Sequence, residues 1–460
     1  MRMEKNKTIS AKYVDVLDGI RAVSVIIVLI FHFWQQTWIF PTVKTPFLAF
    51  MGVPQIDFTP FAKVGYLFVD MMILISGFLL FLPVARNVLL GEKPESFKAF
   101  FRKRAIRILP SYLFCILVLF VYELAHGGYG TPADTGWAIR DLVSHLLFMH
   151  TWKIKTYLST KLNVVLWTLA VEVWFYVLFP LFAAFIRRRK KEKTALRALI
   201  RAALLAVALI GVSHLYVHVY VDGTGSAFSN SIDGFLKSIG SDIRSSYLPI
   251  VINQLPAFFE VYAVGLAGAF IYVAAASKLR RSTWVGLAFT AGSIGFIYLM
   301  VQMLKSCAAL DPAGAQAWQI HERLKLACVF MGLILTTAFS AGFYRFLFSN
   351  RLMKFLAGIS YNLYIWHQWL CVKLKNDWRI PFWEGDTPPN QLYTAEAKAW
   401  SWRYALVITA AAFIAAVLAT YLIERPAADL LNRRKSIYNG KLKELFAPKA
   451  KAPAKRIGKK

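Results

Sequence analysis

Ten long apolar stretches run through this chain and leave it few possible folds. Each has about 18 residues or more, the length that an α-helix needs to cross a bilayer. They lie at about residues 16–38, 64–85, 106–125, 164–186, 198–219, 249–275, 284–304, 324–346, 356–373 and 403–423. Inside a bilayer, backbone polar groups must be paired within the protein, so such stretches form helices. The sequence therefore predicts an all-α fold, a polytopic transmembrane bundle of about ten spans.

The distribution of charge predicts how these spans are oriented. The chain carries 54 Lys and Arg against 25 Asp and Glu, a net charge of +29. With a cytoplasmic N-terminus, the cytoplasmic segments would hold 37 of the 54 basic residues and the outer segments 16. This bias follows the positive-inside rule and predicts that both termini are cytoplasmic. The basic excess is thus explained by orientation and attraction to membrane lipid, and no nucleic-acid partner is expected.

Composition divides the chain into three parts. Residues 1–15 form a basic cytoplasmic segment, residues 16–430 hold the spans, and residues 431–460 form a basic cytoplasmic tail that is predicted to be disordered. The basic run at residues 187–191 is interpreted as a topology anchor. Four cysteines are present without CxxC spacing, and the chain has no HExxH motif. No metal is therefore expected.

The first span, residues 17–38, carries two ionisable side chains, Arg21 and His32. Eleven residues make three helical turns plus about 20°, so both side chains project from one face, about 16 Å apart along the axis. An ionisable group inside a membrane is costly, which makes it a candidate functional residue. The structural alternative stays open, because Arg21 can extend to the interface and His32 can hydrogen-bond a neighbouring helix.

Charged residues on two other spans complete a candidate site. Glu172 is the only charge within the fourth span, and its depth matches that of His32 to within about a turn. A His–Glu contact would orient the ring for general-base chemistry, although a structural pair would have the same sequence. Arg104 and Arg107 share one helix face where the third span begins, a pattern that suits phosphate binding or positive-inside anchoring.

Several motifs occur in a specific order along the chain. They read LDGIRAVSVIIVLIFHF, VDMMILISGFLLF, FFRKRAIRILPSY, WTLAVEVWFYVLFP, GISYNLYIWHQWL and a closing ERP. Together they resemble acyltransferase family 3, the integral membrane acyltransferases that O-acylate bacterial surface glycans and other exported acceptors. Departures from the family pattern are Met71 and Met72 in place of Phe, Thr168 in place of Ser, and Val173-Trp174 in place of Glu-Gln.

The resemblance implies a membrane O-acyltransferase. Its donor would be acyl-CoA, with acetyl-CoA the expected form, bound from the cytoplasm. Its acceptor would be a hydroxyl of a carbohydrate or lipid-linked molecule that is exported or on the cell surface. The enzyme would be integral to the plasma membrane, which is the inner membrane in a Gram-negative bacterium. A separate periplasmic or extracellular enzyme would supply a second transfer step if one is needed.

The resemblance also implies roles for individual residues. His32 would be the general base or a transient acyl carrier, and Glu172 would orient it. Arg21, Arg104 and Arg107 would bind the donor phosphates. Further candidates for lining the site are Asp18, Asp70, Trp167, Tyr361 and His367.

A proton-coupled exporter of a glycan or small molecule is the alternative function. In that case His32 and Glu172 would relay protons. Exporters often show inverted repeats and helices broken within the membrane. No repeat is visible in this sequence, and Pro83 and Pro180 fall at expected helix ends while Pro256 falls inside a span. These features favour the enzyme.

Overall fold

The computed structural model describes residues 14–38, 42–130, 135–187, 194–222, 251–279, 282–391 and 394–432, with isolated residues between 230 and 238. Nearly all of the predicted N-terminal segment and of the predicted tail lies outside these residues. So does most of the basic run that was interpreted as a topology anchor. The predictions for those three segments therefore stay predictions.

The described part of the chain is almost entirely helical. The helices with described bounds are α1 (Val16–Thr37), α2 (Thr59–Lys63), α3 (Phe68–Leu90), α4 (Phe97–Ala125), α5 (Thr135–Leu146), α6 (Ile154–Leu158), α7 (Trp167–Ile186), α8 (Leu196–Val217), α9 (Phe259–Lys278), α10 (Thr283–Ala308), α11 (Pro312–Phe339), α12 (Gly342–Ser349), α13 (Arg351–Asn376), α14 (Ala395–Leu418) and α15 (Arg425–Leu431). Two short antiparallel strands, β1 (Thr42–Lys44) and β2 (Gln55–Asp57), follow α1. The prediction of an all-α fold is confirmed.

The count of ten spans stays a prediction, because two of the predicted stretches belong to one bent pair of helices. Among the described residues, eight helical segments are long and apolar enough to cross a membrane, or nine if one bent pair counts as a single span. That pair is α11 with α12–α13, which meet at an angle of 117°. Helix α11 begins at Pro312, where the Asp311 side chain accepts a hydrogen bond from the Gly314 backbone nitrogen. The predicted eighth span began at residue 324 because the first half of α11 is polar.

Helix α1 lies at the centre of the bundle, where it packs against α3 and α13. We call the end of the bundle at which α1 begins the proximal end and the other the distal end. Helices α3 and α9 approach each other closely at Gly77 and Gly265. A Cβ atom on Gly265 would lie 2.8 Å from the Phe78 backbone nitrogen, so only glycine fits there. Close approach at small residues is typical of membrane helices.

Three prolines lie at positions in the helices other than those predicted. Pro83 and Pro180, expected at helix ends, lie inside α3 and α7. Pro256, expected inside a span, lies in the 3₁₀ turn that precedes α9. Those placements were wrong because Pro83 and Pro180 are followed by seven and six further helical residues, and because the apolar stretch around Pro256 begins before α9 does. Proline position therefore gives no argument between enzyme and exporter.

Asp70 does not line a candidate site, which corrects the expectation for it. Its Oδ2 accepts a hydrogen bond of 3.1 Å from Arg323 Nε on α11, and both side chains are buried. Arg323 Nη1 also donates to the Ile252 and Ala257 carbonyls, at 3.1 and 3.0 Å. This ion pair joins α3 and α11 to the turn before α9. Asp70 is therefore a structural residue.

Residues 163–166, which precede α7, enter the bundle from the distal end. Asn163 Nδ2 donates to the Ile365 carbonyl at 2.8 Å, and Tyr364 Oη donates to the Val165 carbonyl at 3.3 Å. Ile365 and Tyr364 belong to the middle of α13. Residues 163–166 thus already lie within the bundle, and α7 begins deeper than its hydropathy suggests.

Candidate active site

A cavity of about 100 Å³ in the proximal half of the bundle collects the predicted arginines. We call it the proximal cavity. Arg21 from α1 and Arg104 and Arg107 from α4 line it, together with Glu172 from α7. Among the lining residues three guanidinium groups are thus accompanied by one carboxylate, that of Glu172. Asp18, predicted to line the site, lies near Arg21 but outside the lining, and Glu424 lies near Arg107. The lining itself therefore carries an excess of positive charge suited to an anion.

Arg104 has the features of an anion ligand. Its guanidinium carbon lies 5.5 Å from the ring centroid of Tyr176 and 5.7 Å from that of Phe100. Its buried Nε has no hydrogen-bond partner among the described residues. Such an unsatisfied donor costs free energy unless a ligand accepts its hydrogen bond. Tyr361, predicted to line the site, lies on the same cavity and donates to the Ile108 carbonyl at 3.1 Å.

A second cavity, of about 450 Å³, lies in the distal half of the bundle. We call it the distal cavity. His32 lines it, as does Trp167, another predicted lining residue. Polar side chains from other segments also reach it, among them Lys63, Asn253 and Gln319. An imidazole in a roomy, partly polar cavity can meet a hydroxyl-bearing substrate.

The partner of His32 is His367, on α13. Its Nε2 lies 3.0 Å from His32 Nδ1. His367 Nδ1 lies 2.7 Å from the Tyr364 carbonyl, and His32 Nδ1 lies 2.9 Å from the Val28 carbonyl. Carbonyl oxygens only accept, so in the neutral rings both Nδ1 atoms carry hydrogen. The single Nδ1 hydrogen of His32 is shared between the Val28 carbonyl and His367 Nε2, which both accept it. The lone pair of His32 is therefore on Nε2, the nitrogen that is left for a substrate.

Glu172 is not in contact with His32, which corrects the predicted pair. Glu172 lines the proximal cavity and His32 the distal one, and His367 occupies the position expected for the carboxylate. The predicted depth of Glu172 was wrong because the prediction assumed that α7 begins at the membrane surface. In the structure Trp167, the first residue of α7, is level with the distal cavity, and Glu172 lies about 7.5 Å further along the helix.

The two cavities adjoin at Val69 and Tyr364, which line both. A group bound among the arginines is thus separated from His32 by these two side chains. Sequence reasoning missed both residues. Tyr364 could have been found, because it lies three residues before His367 and therefore shares its helix face. Val69 carries no such signal, since a valine in an apolar span is ordinary.

Comparison with known proteins identifies the family. A family model described as an acyltransferase domain matches residues 14–425, nearly the whole chain. The chain belongs to acyltransferase family 3. The resemblance inferred from the motifs is thereby confirmed, and this family member is a multi-pass membrane protein. No solved structure matches it.

Two curated relatives of this family member carry related names. The O-acetyltransferase OatA of Staphylococcus aureus (strain NCTC 8325) is 27% identical over 222 residues, 45% of this chain and 31% of that protein. The peptidoglycan O-acetyltransferase OatA of Listeria monocytogenes (strain EGD-e) is 24% identical over 441 residues, 92% of this chain and 57% of that protein. The chain thus spans at most little more than half the length of these relatives.

The contact between the two histidines predicts the effect of replacing His367. We expect His367→Leu to lower the turnover rate about ten- to a hundredfold, because it removes the acceptor that stabilises a protonated His32. The KM for the donor should stay unchanged, since the arginines lie in the other cavity. His367→Gln, whose carbonyl can accept the same hydrogen bond, should recover part of the rate. An equal loss in both variants, or a raised donor KM, would show that His367 acts through packing.

Proposed function

We propose that this protein is a membrane O-acyltransferase that moves an acetyl group from acetyl-CoA to a hydroxyl of an exported or cell-surface carbohydrate. The observation that carries the proposal is the pair of adjoining cavities, one lined by three arginines and the other by a hydrogen-bonded histidine. The acetyltransferase names of the relatives support the acetyl group, and the listerial name supports a cell-wall glycan as acceptor.

The orientation in the plasma membrane follows from charge. The positive-inside bias supports a cytoplasmic proximal end, with Arg104 and Arg107 on the side where acyl-CoA is made. The distal cavity then opens toward the outer side, where an exported carbohydrate can reach it. Guanidinium groups bind phosphate through two parallel hydrogen bonds, so Arg21, Arg104 and Arg107 suit the pyrophosphate of CoA. Glu172 then lines the same cavity as these arginines and does not orient His32.

His32 performs the proton transfer in the proposed reaction. The thioester carbonyl passes between Val69 and Tyr364 into the distal cavity, next to the acceptor hydroxyl. His32 Nε2 takes the hydroxyl proton as the oxygen attacks the carbonyl carbon, so a C–O ester bond forms and the C–S bond breaks. His367 Nε2 accepts from Nδ1 of the resulting imidazolium. The proton then returns from His32 to the CoA thiolate, which leaves as the free thiol.

A transient acyl-histidine is the other form of this chemistry. His32 Nε2 would then attack the thioester itself, and the acceptor hydroxyl would take the acetyl group in a second step. Labelled acetyl-CoA without an acceptor separates the two forms. Label retained on wild-type protein, and absent from His32→Ala, would indicate the covalent route.

The proposed function is tested with inverted membrane vesicles that contain the protein and a crude glycan acceptor. Labelled acetyl-CoA is supplied to the exposed proximal side, and both free CoA and labelled product are measured. We expect one free thiol for each acetyl group transferred. An exporter would instead move the glycan in response to a pH gradient alone. Movement of glycan without any release of CoA would overturn the proposal in favour of that alternative.

Blocking the connection between the cavities should separate donor binding from transfer. We expect Val69→Trp to lower transfer about a hundredfold or more, because the bulkier ring keeps the thioester from the histidine. Binding of CoA, measured by titration in nanodiscs, should remain near the wild-type value. Val69→Ala, which widens the same connection, is the matched control and should remain active. Full activity in Val69→Trp would show that the acyl group does not pass this point.

A further inference from the structure

A further cavity, of about 40 Å³, adjoins the proximal cavity on the side away from His32. We call it the accessory cavity. Leu79 and Arg104 line both cavities, so the accessory, proximal and distal cavities follow one another through the bundle. The accessory cavity lies beside the C-terminal part of α7, the loop before α4 and the beginning of α4.

Arg187, directly after α7, brings a second guanidinium group to the accessory cavity. Its Nη2 donates to the Glu95 carbonyl at 2.7 Å, and its guanidinium carbon lies 4.5 Å from the ring centroid of Phe97. These two contacts hold the fork in place and use one of its five donors. Glu95 also lines the cavity, and its carboxylate forms an ion pair of 2.5 Å with the exposed Lys103.

The three parts of the CoA donor follow one another in the same order as the three cavities. CoA carries a pyrophosphate in the middle of the molecule, an acyl-bearing arm on one side, and an adenosine with a separate 3′-phosphate on the other. If the pyrophosphate binds in the proximal cavity and the arm points to His32, the 3′-phosphate must lie on the opposite side. That side is the accessory cavity, where the unpartnered Arg104 Nε and the Arg187 fork are available.

We propose that the accessory cavity binds the 3′-phosphate of the CoA donor, with Arg187 and Arg104 as its ligands. The proposal rests on the proposed function, because it takes CoA as the donor. A phosphate ligand needs a fixed position, and Arg187 is held in one against Phe97. A residue that only orients the helix by the positive-inside rule would need its charge and no fixed position. It also makes the protein selective for CoA over donors that lack the 3′-phosphate.

The test compares CoA with 3′-dephospho-CoA, which differs by that phosphate alone. Binding of both is measured by titration in nanodiscs of neutral lipid, so that lipid phosphate does not change between samples. We expect the wild-type protein to bind CoA at least about tenfold more tightly than 3′-dephospho-CoA, because a charge-assisted hydrogen bond typically contributes that much to affinity. In Arg187→Gln most of this ratio should disappear, through weaker CoA binding and unchanged 3′-dephospho-CoA binding.

Arg102→Gln is the matched control. Arg102 lies on α4 near Arg104, and its Nη2 donates to the Leu431 carbonyl at 2.8 Å, but it lines none of the three cavities. The ratio in this variant should equal that of the wild-type protein. If Arg187→Gln does not fold, Arg187→Lys keeps the charge and loses the fork, and it should lower the ratio by a smaller factor.

Two results would overturn the inference and leave the proposed function intact. One is a wild-type protein that binds both compounds equally. The other is an Arg187 variant that weakens both to the same extent, which would show that Arg187 only holds the 95–97 loop. A wild-type protein that binds neither compound would contradict the proposed function itself, so the two failures are distinguishable.

Discussion

Replacing His32 with alanine is expected to abolish acetyl transfer. Removal of a general base typically costs about 10²–10⁴-fold in rate, so residual activity should be a few per cent of wild type at most. The physical reason is that His32 lines the distal cavity and its Nδ1 is engaged by the Val28 carbonyl and His367, which leaves Nε2 to take the proton. The His32→Ala replacement should lower the rate and leave the affinity for the donor unchanged, because the arginines proposed to bind the donor lie in the proximal cavity.

The measurement is initial transfer rate per mole of purified protein, with the CoA affinity determined on the same samples. His126→Ala is a suitable control, since His126 is an exposed histidine that bonds only to its own helix turn in the described structure. It should keep nearly full activity. A His32→Ala protein that retains half of the wild-type rate would remove this residue from the mechanism.

The second large effect is expected at the buried ion pair of Arg323 with Asp70. We expect Arg323→Met to lower the free energy of unfolding by about 3–5 kcal/mol, because it leaves the Asp70 carboxylate buried without its partner. The side chains of both residues are no more than 1% exposed. The Ile252 and Ala257 carbonyls would also lose their donor. Unfolding in mixed micelles with increasing SDS provides the measurement.

A second variant distinguishes the charge effect from simple loss of packing. The double replacement Asp70→Leu with Arg323→Met removes both charges and should restore part of the lost stability. Lys325→Met is the matched control on the same helix, since Lys325 makes a 2.8 Å ion pair with Glu322 at the surface. It should cost less than about 1 kcal/mol. A double variant no more stable than Arg323→Met alone would show that the ion pair is not the cause.

Hydropathy, charge and helical periodicity were sufficient for much of this protein. Helix α1 begins and ends within a residue of its prediction, because its length is set by the bilayer. Arg104 and Arg107 line one cavity, as their spacing on a helix face indicates. The order of the motifs led to the family, which a match over residues 14–425 confirms. Each of these properties is local to a helix or to the order of residues.

Contacts between helices could not be obtained in this way. The partner of His32 is on α13, 335 residues further along the chain, and the partner of Asp70 is on α11. Arg323 gave no signal because a polar stretch in front of an apolar span resembles a loop. Where α11, α12 and α13 begin and end depends on capping residues and on a bend of 117°, which hydropathy does not indicate.

The depth of Glu172 illustrates the physical limit most clearly. Sequence determines that this carboxylate lies within a membrane helix, since apolar residues surround it on both sides. Its depth depends on where α7 begins, and that is decided by the bonds of Asn163 to Ile365 and of Tyr364 to Val165. Hydropathy measures the free energy of transferring a segment from water to lipid. This free energy varies little with the exact depth of the segment, and it does not depend on which helices pack against it. The tertiary structure alone therefore decided that Glu172 lines one cavity with Arg21 and that His32 contacts His367.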